Sequence, residues 1–469
     1  MRGKLAYLSV LAALPLAVSA AKGTWVVENG VRKFKVGRPP AEAAADARAA
    51  YARDADDAKT FFIEPETTLD DVNAMDIRPG AKVLFRRGGV WRGQLWPKSG
   101  KPGHPVVYGA FGEGAKPVIQ PSYDKGGAGD WAREADGFWR AKTGALADIG
   151  NIVLDHGAKG CAFKQNTRGE CVRDLDFWCD PKTFDVCVKS WANPAARFSS
   201  IELCEKVHCI DENDVHDVVY DSLALRYTAA HGIGGTGVKR VAVRNCDISW
   251  VGGGYLYFDN FGRGVRYGNG IEFWGAAEDV TVESNRVWEC WDAGLTNQSS
   301  GDGVVQRNIV WRGNEVWNCE YSYEYWQQGD GAVTENVRVE GNVFRDAGRG
   351  WGHRQRWNPN AAHLMFYDTT AATTGFVVAG NVFSRSEDVL FRLFNDWRAK
   401  LSMKGNRWVS GGEPICRYHG RPTANLVHKY PDHLDQTHDD NAAEIESQGT
   451  GARVFTAGQL AAFERFLGE

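Results

Sequence analysis

The chain has 469 residues, a formal net charge of −4 and a hydrophobic content of 43%. No stripe of Lys and Arg stands out from this slightly acidic balance, so nucleic acid is not predicted as a partner. After the N-terminal segment, no apolar run reaches the roughly 20 residues of a spanning helix, so no membrane span is predicted. Eighteen tryptophans exceed what packing requires and indicate stacking on carbohydrate, although core filling explains most of them.

The first 20 residues have the pattern of an export signal. A basic MRGK precedes an apolar run from Leu5 to Val18, and small residues follow up to Ala20. This pattern predicts cleavage after Ala20 and a secreted or periplasmic protein. The alternative, an uncleaved anchor, is disfavoured because the apolar run is too short for an ordinary spanning helix.

The mature chain is expected to begin with a lead and cap at residues 21–78. Within it, the Ala-rich segment Ala41–Ala58 has helical propensity. A helix there would cover the open end of a repetitive fold, as terminal units must.

A strand-rich region follows at residues 79–412, with an inserted antiparallel patch at residues 150–200 that contains a DPKT turn. Residues 413–469 form a polar tail. The tail is predicted to end in a helix at Ala457–Leu467 with Thr456 as its N-cap.

The strand-rich region contains a repeated phrase, an alternating strand that ends in asparagine. Its copies end at Asn285, Asn314, Asn342, Asn381 and Asn406, at intervals of 29, 28, 39 and 25 residues. VAVRNC, which ends at Cys246, is the preceding copy with Cys in the Asn place. Such a period predicts a solenoid with one copy per coil. The asparagines are predicted to form a stacked ladder at a bend, where Asn tolerates left-handed backbone.

Residues 79–412 resemble the right-handed parallel β-helix enzymes of polysaccharide breakdown, the pectate-lyase-like group. The stretch VLFRRGGVWRGQLWPKSGKPGHPVVYGAFGEGAKPVI carries the resemblance, because it is similar to the entry coils of that fold. The resemblance implies an all-β, right-handed parallel β-helix solenoid. It does not imply one activity, since this fold hosts lyases, hydrolases, epimerases and non-catalytic proteins.

Ten cysteines remain after the predicted cleavage. One group of them consists of Cys161, Cys171, Cys179, Cys187, Cys204 and Cys209. An exported chain permits disulfides within this group, whereas no CxxC spacing supports zinc. Cys290 and Cys319 each follow a repeat asparagine by five residues, so they are predicted to stack on adjacent coils as buried thiols.

A second strand of each coil precedes the asparagine strand and can be aligned by its apolar position. That row reads Ile233, Ile271, Leu295, Tyr323, Leu364 and Phe391. Side chains alternate across a strand, so the following residue is expected to point outward. The outward row is Gly234, Glu272, Thr296, Glu324, Met365 and Arg392. Two positions on lie Trp274, Gln298, Trp326, Tyr367 and Phe394, and two positions back lie Gly270, Gly294, Ser322 and His363.

Carboxylates beside a row of large aromatics are typical of a sugar-binding cleft. Rings stack on the apolar faces of pyranoses, while acids handle the hydroxyls and the glycosidic oxygen. We therefore expect Trp274, Gln298, Trp326 and Tyr367 to contact substrate. The alternative is a loop that covers this face and turns the aromatics into a second core.

The carboxylates define a mechanism. Glu272 and Glu324 are predicted two coils apart in one row, so their backbones are about 9.6 Å apart. That spacing favours an inverting glycosidase, in which the carboxyl groups are roughly 6.5–9.5 Å apart. The aromatic surroundings of Glu324 favour a raised pKa and a general acid, with Glu272 or Asp292 as the base.

The segment from Ala347 to Asp368 is Gly- and Arg-rich and long for a solenoid loop. His353 and Arg356 lie in it, and we expect them to reach substrate beside His363. An arginine here would bind a carboxylate or sulfate on an acidic sugar. The alternative, that the arginines pair with nearby acids, stays open.

Two other functions remain open on the sequence. A lyase acting by β-elimination on a uronic-acid glycan could use Arg392, His363, His353 or Tyr367 as its base, with Ca²⁺ as the neutralising ion. A non-catalytic glycan-binding solenoid needs only the aromatics. The hydrolase is favoured because no Asp cluster with Ca²⁺-ligand spacing occurs. The expected partner is a polysaccharide or oligosaccharide, and no cofactor or metal is predicted.

Overall fold

The computed structural model describes residues 59–367, 369–394 and 400–409, together with isolated strands at 23–28, 31–36, 416–419 and 452–455. The predicted export signal (1–20), the helical cap (Ala41–Ala58) and the C-terminal helix (Ala457–Leu467) lie outside the described residues. No helix of the described part has the length and apolar character needed to cross a bilayer. The two N-terminal strands, β1 (Gly23–Glu28) and β2 (Val31–Val36), pair antiparallel with each other.

The coils begin earlier than the predicted start at residue 79. Strand β3 already pairs in parallel with β4, and helix α1 between them is held by a capping box at Thr68 and Asp71. The first elements are β3 (Thr60–Ile63), α1 (Leu69–Ala74), β4 (Lys82–Arg86), β5 (Val90–Arg92), β6 (Val106–Phe111) and β7 (Val118–Gln120).

The inserted antiparallel region is wider than the predicted 150–200. Its strands run from Ser122 to Glu205 and form one sheet in the order β12-β13-β14-β10-β9 and another in the order β11-β15-β8. The elements are β8 (Ser122–Asp124), β9 (Trp131–Arg133), β10 (Phe138–Ala141), β11 (Ile149–Leu154), β12 (Phe163–Lys164), β13 (Asp176–Cys179), β14 (Val186–Lys189), α2 (Pro194–Arg197) and β15 (Ile201–Glu205).

The remaining described elements continue the coils. They are β16 (Ile210–Asp211), β17 (His216–Asp221), β18 (Ala224–Thr228), β19 (Ile233–Gly235), β20 (Val238–Arg244), β21 (Asp247–Val251), β22 (Gly254–Phe258), β23 (Gly264–Tyr267), β24 (Ile271–Trp274), β25 (Ala277–Glu283), β26 (Arg286–Cys290), β27 (Ala293–Ser299), β28 (Val305–Arg312), β29 (Glu315–Trp317), β30 (Tyr321–Gln327), β31 (Val333–Glu340), β32 (Val343–Ala347), α3 (Trp351–Gln355), β33 (Ala362–Phe366), β34 (Ala372–Thr374), β35 (Phe376–Ala379), β36 (Val382–Ser386), β37 (Phe391–Phe394), β38 (Leu401–Lys404), β39 (Arg407–Val409), β40 (Cys416–His419) and β41 (Ala452–Phe455).

Three long sheets are built from these coils. Sheet I has the order β16-β19-β24-β27-β30-β33-β37-β40-β41, and only its last pair is antiparallel. Sheet II has the order β3-β4-β6-β17-β20-β25-β28-β31-β35-β38, with β34 beside β31. Sheet III has the order β39-β36-β32-β29-β26-β21-β18-β7-β5. From β16 to β39 each coil contributes a strand to each sheet, so the fold is the predicted right-handed parallel β-helix.

The interior is apolar and runs the length of the coils. Inward side chains of all three sheets meet there, among them Ile271 of sheet I, Val282 of sheet II and Val287 of sheet III. All nine described cysteines are free thiols, so the disulfides allowed for the Cys161–Cys209 group are not formed. Cys290 and Cys319 lie in this interior as predicted.

The asparagines form the predicted ladder. Asn314 Oδ1 accepts from the backbone N–H and the side-chain amide of Asn285, both at 3.0 Å, while its own Nδ2 donates to the carbonyl of Val282. Asn342 bonds Asn314 in the same way, and Asn381 bonds Asn342. These amides are buried, so they satisfy backbone groups that water cannot reach.

The left-handed bend falls one residue earlier than predicted. Ser284, Gly313, Gly341 and Gly380, each directly before a repeat asparagine, have φ between 57° and 65°. The asparagines themselves do not adopt that conformation. Glycine meets the positive φ at most bends without strain, and the asparagine supplies the side-chain bonds.

Replacing Asn342 with Ala is expected to lower the free energy of unfolding by about 3 kcal/mol, because buried backbone and amide groups lose their partners. Urea denaturation followed by circular dichroism measures this change. Asn213→Ala is the control, because the hydrogen bonds that Asn213 donates to Asp211 are exposed. Equal losses in both variants would contradict the ladder's role.

Candidate active site

The outward row of sheet I has the predicted register. Glu272 lies opposite Gly234 and Thr296, Thr296 lies opposite Glu324, and the row continues through Met365 to Arg392. The preceding residues, such as Ile271 and Tyr323, are buried in the coil interior. The alignment by apolar position is therefore confirmed, and Glu272 and Glu324 stand two strands apart on the outer face.

A tryptophan pair lies beside this row, towards the ends of the same strands. Trp274 is opposite Gln298, which is opposite Trp326. The two ring centroids are 5.7 Å apart at an interplanar angle of 43°, so the rings lean together over the intervening strand. Trp274 is 38% exposed, and Trp326 packs against it. An aromatic surface thus opens to solvent next to the carboxyl groups.

Glu324 is a buried carboxyl group with a sparse set of partners. Gln298 donates to it at 2.8 Å. Burial raises the pKa of Glu324 well above its usual range, and the nearby negative charges of Asp292 and Glu272 raise it further. This environment favours the protonated form of Glu324, the form that a general acid needs.

Glu272 is the second buried carboxyl group of the row. Asn269 donates a hydrogen bond to it, and His231 Nδ1 lies 3.4 Å away. Burial, reinforced by Asp292, raises the pKa of Glu272 to about 7, although the Asn269 bond opposes the rise. His231 gives no compensating charge, because burial keeps its pKa well below the usual value and its Nδ1 accepts from the Asn269 backbone at 2.9 Å.

Asp292 lies between the two glutamates, on the coil that carries β27. Its backbone N–H donates to the Gly268 carbonyl at 3.0 Å, and its carboxylate accepts from Arg356 at 2.8 Å. Burial raises the pKa of Asp292, while Arg356 opposes the rise. A direct guanidinium partner makes Asp292 the best-stabilised anion of the three candidate acids.

Glu320 is part of the site, and sequence reasoning missed it. Its carboxylate is fully buried and accepts from His353 Nδ1 at 2.9 Å and from the Asn360 N–H at 2.8 Å, with Arg356 Nε at 3.6 Å. Burial alone would raise the pKa of Glu320, but Arg356 and His353 together hold it below the usual value. The sequence held a signal, because Glu320 directly follows Cys319, which was predicted to stack on the adjacent coil. In the structure, the Glu320 N–H donates to the Asp292 carbonyl at 3.0 Å.

Arg356 and His353 come close to the acids, as expected of the 347–368 segment, but they bind protein carboxylates. The guanidinium is shared between Asp292 and Glu320 and is almost wholly buried. The alternative left open by the sequence, pairing of the arginine with nearby acids, describes Arg356. Arg356 therefore fixes the position of Asp292 and opposes the rise of its pKa.

His363 was expected on the outer face, and this expectation is wrong. The side chain is fully buried, with Nδ1 bonded to Ser322 Oγ at 2.8 Å and Nε2 to the Ser384 carbonyl at 3.1 Å. His363 lies within β33, but its bond to Ser384 of β36 turns the imidazole towards sheet III, so alternation along the strand does not predict its environment. A Cβ at Gly270 or Gly294, in the same row as His363, would likewise meet interior side chains.

At its end near Tyr367 and Arg392, the outer face of sheet I is packed with side chains. Tyr367 stacks on Phe394 with centroids 5.6 Å apart, and its hydroxyl lies 3.3 Å from that of Tyr321. Both rings pack on a cluster that contains Met365. Arg392 bonds Asp388. Arg392 is buried, contrary to the expectation that it lines an open cleft, whereas Tyr367 is half-buried against Phe394.

The acids of this face do not fit a Ca²⁺ site. Glu272 and Glu324 have raised pKa values, and Asp292 and Glu320 are already bonded to Arg356. Among the residues that the structure describes, no group of three or more His, Cys, Asp or Glu side chains is arranged to hold a metal ion. No chemical step is assigned to a metal ion.

Residues 196–351 match a family model described as right handed beta helix region. This range includes Glu272, Asp292 and Glu324, so the coils that carry the candidate site have the sequence pattern of that fold. The match agrees with the fold predicted from the asparagine repeat. No curated protein matches the chain significantly.

Solved structures resemble the chain weakly. One is the complex of XylC with xylose, at 10% identity over 82% of this chain and 79% of that chain, with a TM-score of 0.43. An alginate lyase from Paenibacillus sp. str. FPU-7 has 9% identity, coverage of 77% and 97%, and a TM-score of 0.40. A GH136 lacto-N-biosidase from Eubacterium ramulus has 13% identity, coverage of 80% and 69%, and a TM-score of 0.33. Likenesses this weak carry no argument about activity.

The raised pKa of Glu272 predicts a pH-dependent effect of Glu272→Gln on stability. A carboxyl group with a folded pKa of about 7 and an ordinary value of 4.5 binds its proton more tightly when folded. Its contribution to stability is full below pH about 4.5 and is lost as the pH rises through 7, by about 3 kcal/mol. Glutamine keeps an acceptor for Asn269 and has no charge to bury.

Glu272→Gln should therefore be more stable than the parent protein at pH 8 and about equally stable at pH 4.5. Chemical denaturation at the two pH values tests this difference. Glu335→Gln on sheet II, whose carboxyl side chain is 43% exposed, controls for the loss of one charge. A gain in stability that is equal at both pH values would contradict the burial of an ionisable Glu272.

Proposed function

We propose that the protein hydrolyses glycosidic bonds of a polysaccharide at the outer face of sheet I. The observation that carries this proposal is the group formed by Glu272, Asp292 and Glu324 beside Trp274 and Trp326. Two of its acids have strongly raised pKa values, and the third, Asp292, has a guanidinium partner that opposes the rise of its pKa. Carboxyl groups with divergent environments in one cleft are what acid and base catalysis of glycoside cleavage requires.

Glu324 is the general acid of this mechanism. Burial and the negative charges of Asp292 and Glu272 raise its pKa and so favour the protonated form. The carboxyl group gives this proton to the glycosidic oxygen as the bond from that oxygen to the anomeric carbon breaks. Gln298, bonded to Glu324 at 2.8 Å, holds the carboxyl group in position.

Asp292 is the favoured general base. It takes a proton from the water whose oxygen attacks the anomeric carbon, and the leaving sugar keeps the proton from Glu324. Arg356 supports the charged form of Asp292, which a base needs. Glu272 is the second candidate, because a pKa of about 7 leaves it ionised only in part at neutral pH.

If Glu272 rather than Asp292 is the base, the spacing of the row favours inversion at the anomeric carbon. Glu272 and Glu324 are separated by one intervening strand, which places their backbones about 9.6 Å apart. Separations near this size admit a water molecule between the acid and the sugar ring. Trp274 offers its exposed ring to the apolar face of a sugar on the same side.

One observation favours a second candidate, β-elimination on a uronic-acid glycan. His353 Nδ1 is fixed by the buried Glu320, an arrangement that orients an imidazole for proton abstraction by its other nitrogen. In that reaction His353 would remove the C5 proton and Glu324 would protonate the leaving oxygen. Hydrolysis remains favoured because the positive charge of Arg356 is used by protein acids and does not neutralise a uronate.

Substitution of the acids is expected to abolish cleavage without loss of binding. Glu324→Gln and Asp292→Asn should each lower kcat roughly 100- to 10,000-fold, since each removes a proton-transfer group. Glu272→Gln should have a smaller effect if Asp292 is the base. The assay incubates the protein with a panel of glycans and follows reducing ends together with absorbance of unsaturated uronate.

Reducing ends without that absorbance indicate hydrolysis, and both signals together indicate elimination. Binding without either signal identifies a non-catalytic glycan-binding protein. Glu335→Gln is the matched control and should retain full activity. Full activity in all three acid variants would exclude this site.

The stereochemistry of the product is a separate prediction. We expect the first product observed by proton NMR to have the opposite anomeric configuration to the cleaved bond. Mutarotation should then bring it to equilibrium. A first product with retained configuration would require a covalent intermediate and a nucleophilic role for one of the acids.

The location of the protein is a further part of the proposal. A polysaccharide substrate lies outside the cell membrane, and residues 1–20 have the pattern of an export signal. A secreted or periplasmic enzyme follows from the two together.

A further inference from the structure

A hairpin on the 39-residue interval between Cys246 and Asn285 projects exposed aromatic side chains. Strands β22 and β23 pair antiparallel, with Phe258 opposite Gly264. Phe261 at the tip is 82% exposed, and Phe258 is 53% exposed. Neither residue belongs to the coil interior, and the proposed chemistry does not use them.

The tip of this hairpin is an ordered turn. Asp259 Oδ1 accepts from the N–H groups of Phe261 and Arg263 at 2.9 Å, and its Oδ2 accepts from the Arg263 guanidinium at 2.8 Å. A carboxylate with three such donors holds both the backbone and the arginine side chain in place. The exposed phenyl ring is thus presented on a rigid support.

Arg263 joins the hairpin to the 347–368 segment. Its guanidinium lies over the ring of Trp357 at 3.9 Å and over the ring of Phe261 at 5.0 Å. Trp357 is 46% exposed, so surface remains open on the ring that the arginine contacts. The two aromatic rings and the guanidinium between them form one platform, which we call the rim platform (Phe261, Arg263, Trp357).

The rim platform is tied to the candidate acids. Arg266 of the hairpin stem donates to Gln355 at 2.9 Å, which joins the hairpin to helix α3. Trp357 directly follows Arg356, whose guanidinium bonds Asp292. The hairpin in turn ends two residues before Asn269, the partner of Glu272. The hairpin and the 347–368 segment, which support the platform, therefore each lie next to a residue that bonds a proposed catalytic carboxyl group.

The platform and the tryptophan pair lie on opposite sides of the acids along the strand direction. The hairpin and the 347–368 segment enter sheet I before its strands begin, at Ile271 and Ala362. Trp274 and Trp326, in contrast, lie towards the ends of their strands. Aromatic surfaces thus precede and follow Glu272 and Glu324.

We propose that the rim platform is an outer sugar-binding subsite, so that the polysaccharide crosses sheet I along its strands, from the tryptophan pair past the acids to Phe261 and Trp357. This inference rests on the proposed glycan cleavage and adds the path of the chain. A sugar ring suits the platform because aromatic faces bind its apolar face, while the guanidinium and Asp259 bond its hydroxyl groups. The occupant is a sugar of the same chain, remote from the bond that is cleaved.

The proposal predicts a dependence on substrate length. Trp357→Ala and Phe261→Ala should each weaken the binding of long oligosaccharides roughly five- to tenfold, about the contribution of one stacked ring. Oligosaccharides too short to reach the platform should bind these variants as they bind the parent protein. Trp357→Phe, which keeps a ring, should restore most of the lost affinity.

The experiment uses a size series of oligosaccharides from a glycan that the full-length protein binds or cleaves, with calorimetry in the Glu324→Gln background. The matched control is Trp191→Ala, because Trp191 is 77% exposed and also has an arginine, Arg197, 4.5 Å from its ring centroid. It should bind every length normally. Melting curves of all variants verify folding.

Three results would overturn the inference, and they separate it from the proposed function. Unchanged affinity for long oligosaccharides in Trp357→Ala, with normal binding by the parent protein, removes the subsite and leaves the function intact. Equal weakening for short and long oligosaccharides places Trp357 at the reacting sugar instead. A parent protein that binds and cleaves no glycan overturns both proposals.

A further outcome concerns a different occupant of the platform. If the parent protein is a dimer by light scattering and Phe261→Ala is a monomer, the patch is an interface between copies of the chain. That result would also overturn the sugar-binding assignment.

Discussion

The buried amide of each repeat asparagine holds two neighbouring coils at one register. Asn314 satisfies the N–H and the amide of Asn285 and is in turn the donor to Asn342, so a slip of one residue would leave buried polar groups without partners. The outer face of sheet I depends on this constraint. Glu272 and Glu324 come from separate coils, and they share a row only because every strand between them keeps its register.

With the register fixed, the pKa of each acid depends on whether a positively charged side chain contacts it. Arg356 lies between Asp292 and Glu320 and favours the anion in both, whereas Glu272 and Glu324 have only amide donors. Burial then drives these two towards the protonated form. One arginine thus gives the acids of this cluster different environments: it holds the pKa of Glu320 below its usual value and opposes the rise at Asp292.

The fold and the row of acids could be predicted because both depend on periodic, local rules. The Asn phrase fixes the coil length, and the apolar alternation fixes which side chains face outward. His363 was misplaced because, although it lies within β33, its buried imidazole bonds the Ser384 carbonyl of sheet III, a contact that alternation along one strand does not report. Glu320 was missed, and the pairing of Arg356 with acids stood only as an alternative, because a loop brings these residues together and its path has no period. The same loop also reaches the face near Tyr367, where its Asn360 accepts from Tyr321 and the Tyr321 hydroxyl lies beside that of Tyr367. A strand pattern does not report such contacts.

The longest intervals of the repeat contain the insertions that lie near the candidate site. The two intervals of 39 residues, from Cys246 to Asn285 and from Asn342 to Asn381, contain the hairpin and the loop that meet above the acids. A solenoid admits such insertions at little cost, because each coil contacts only its neighbours. Two insertions on coils that are not adjacent along the chain nevertheless bond each other through Arg266 and Gln355. Since neither is needed to continue the coils, their contact is best explained by the surface that they build together at one edge of sheet I.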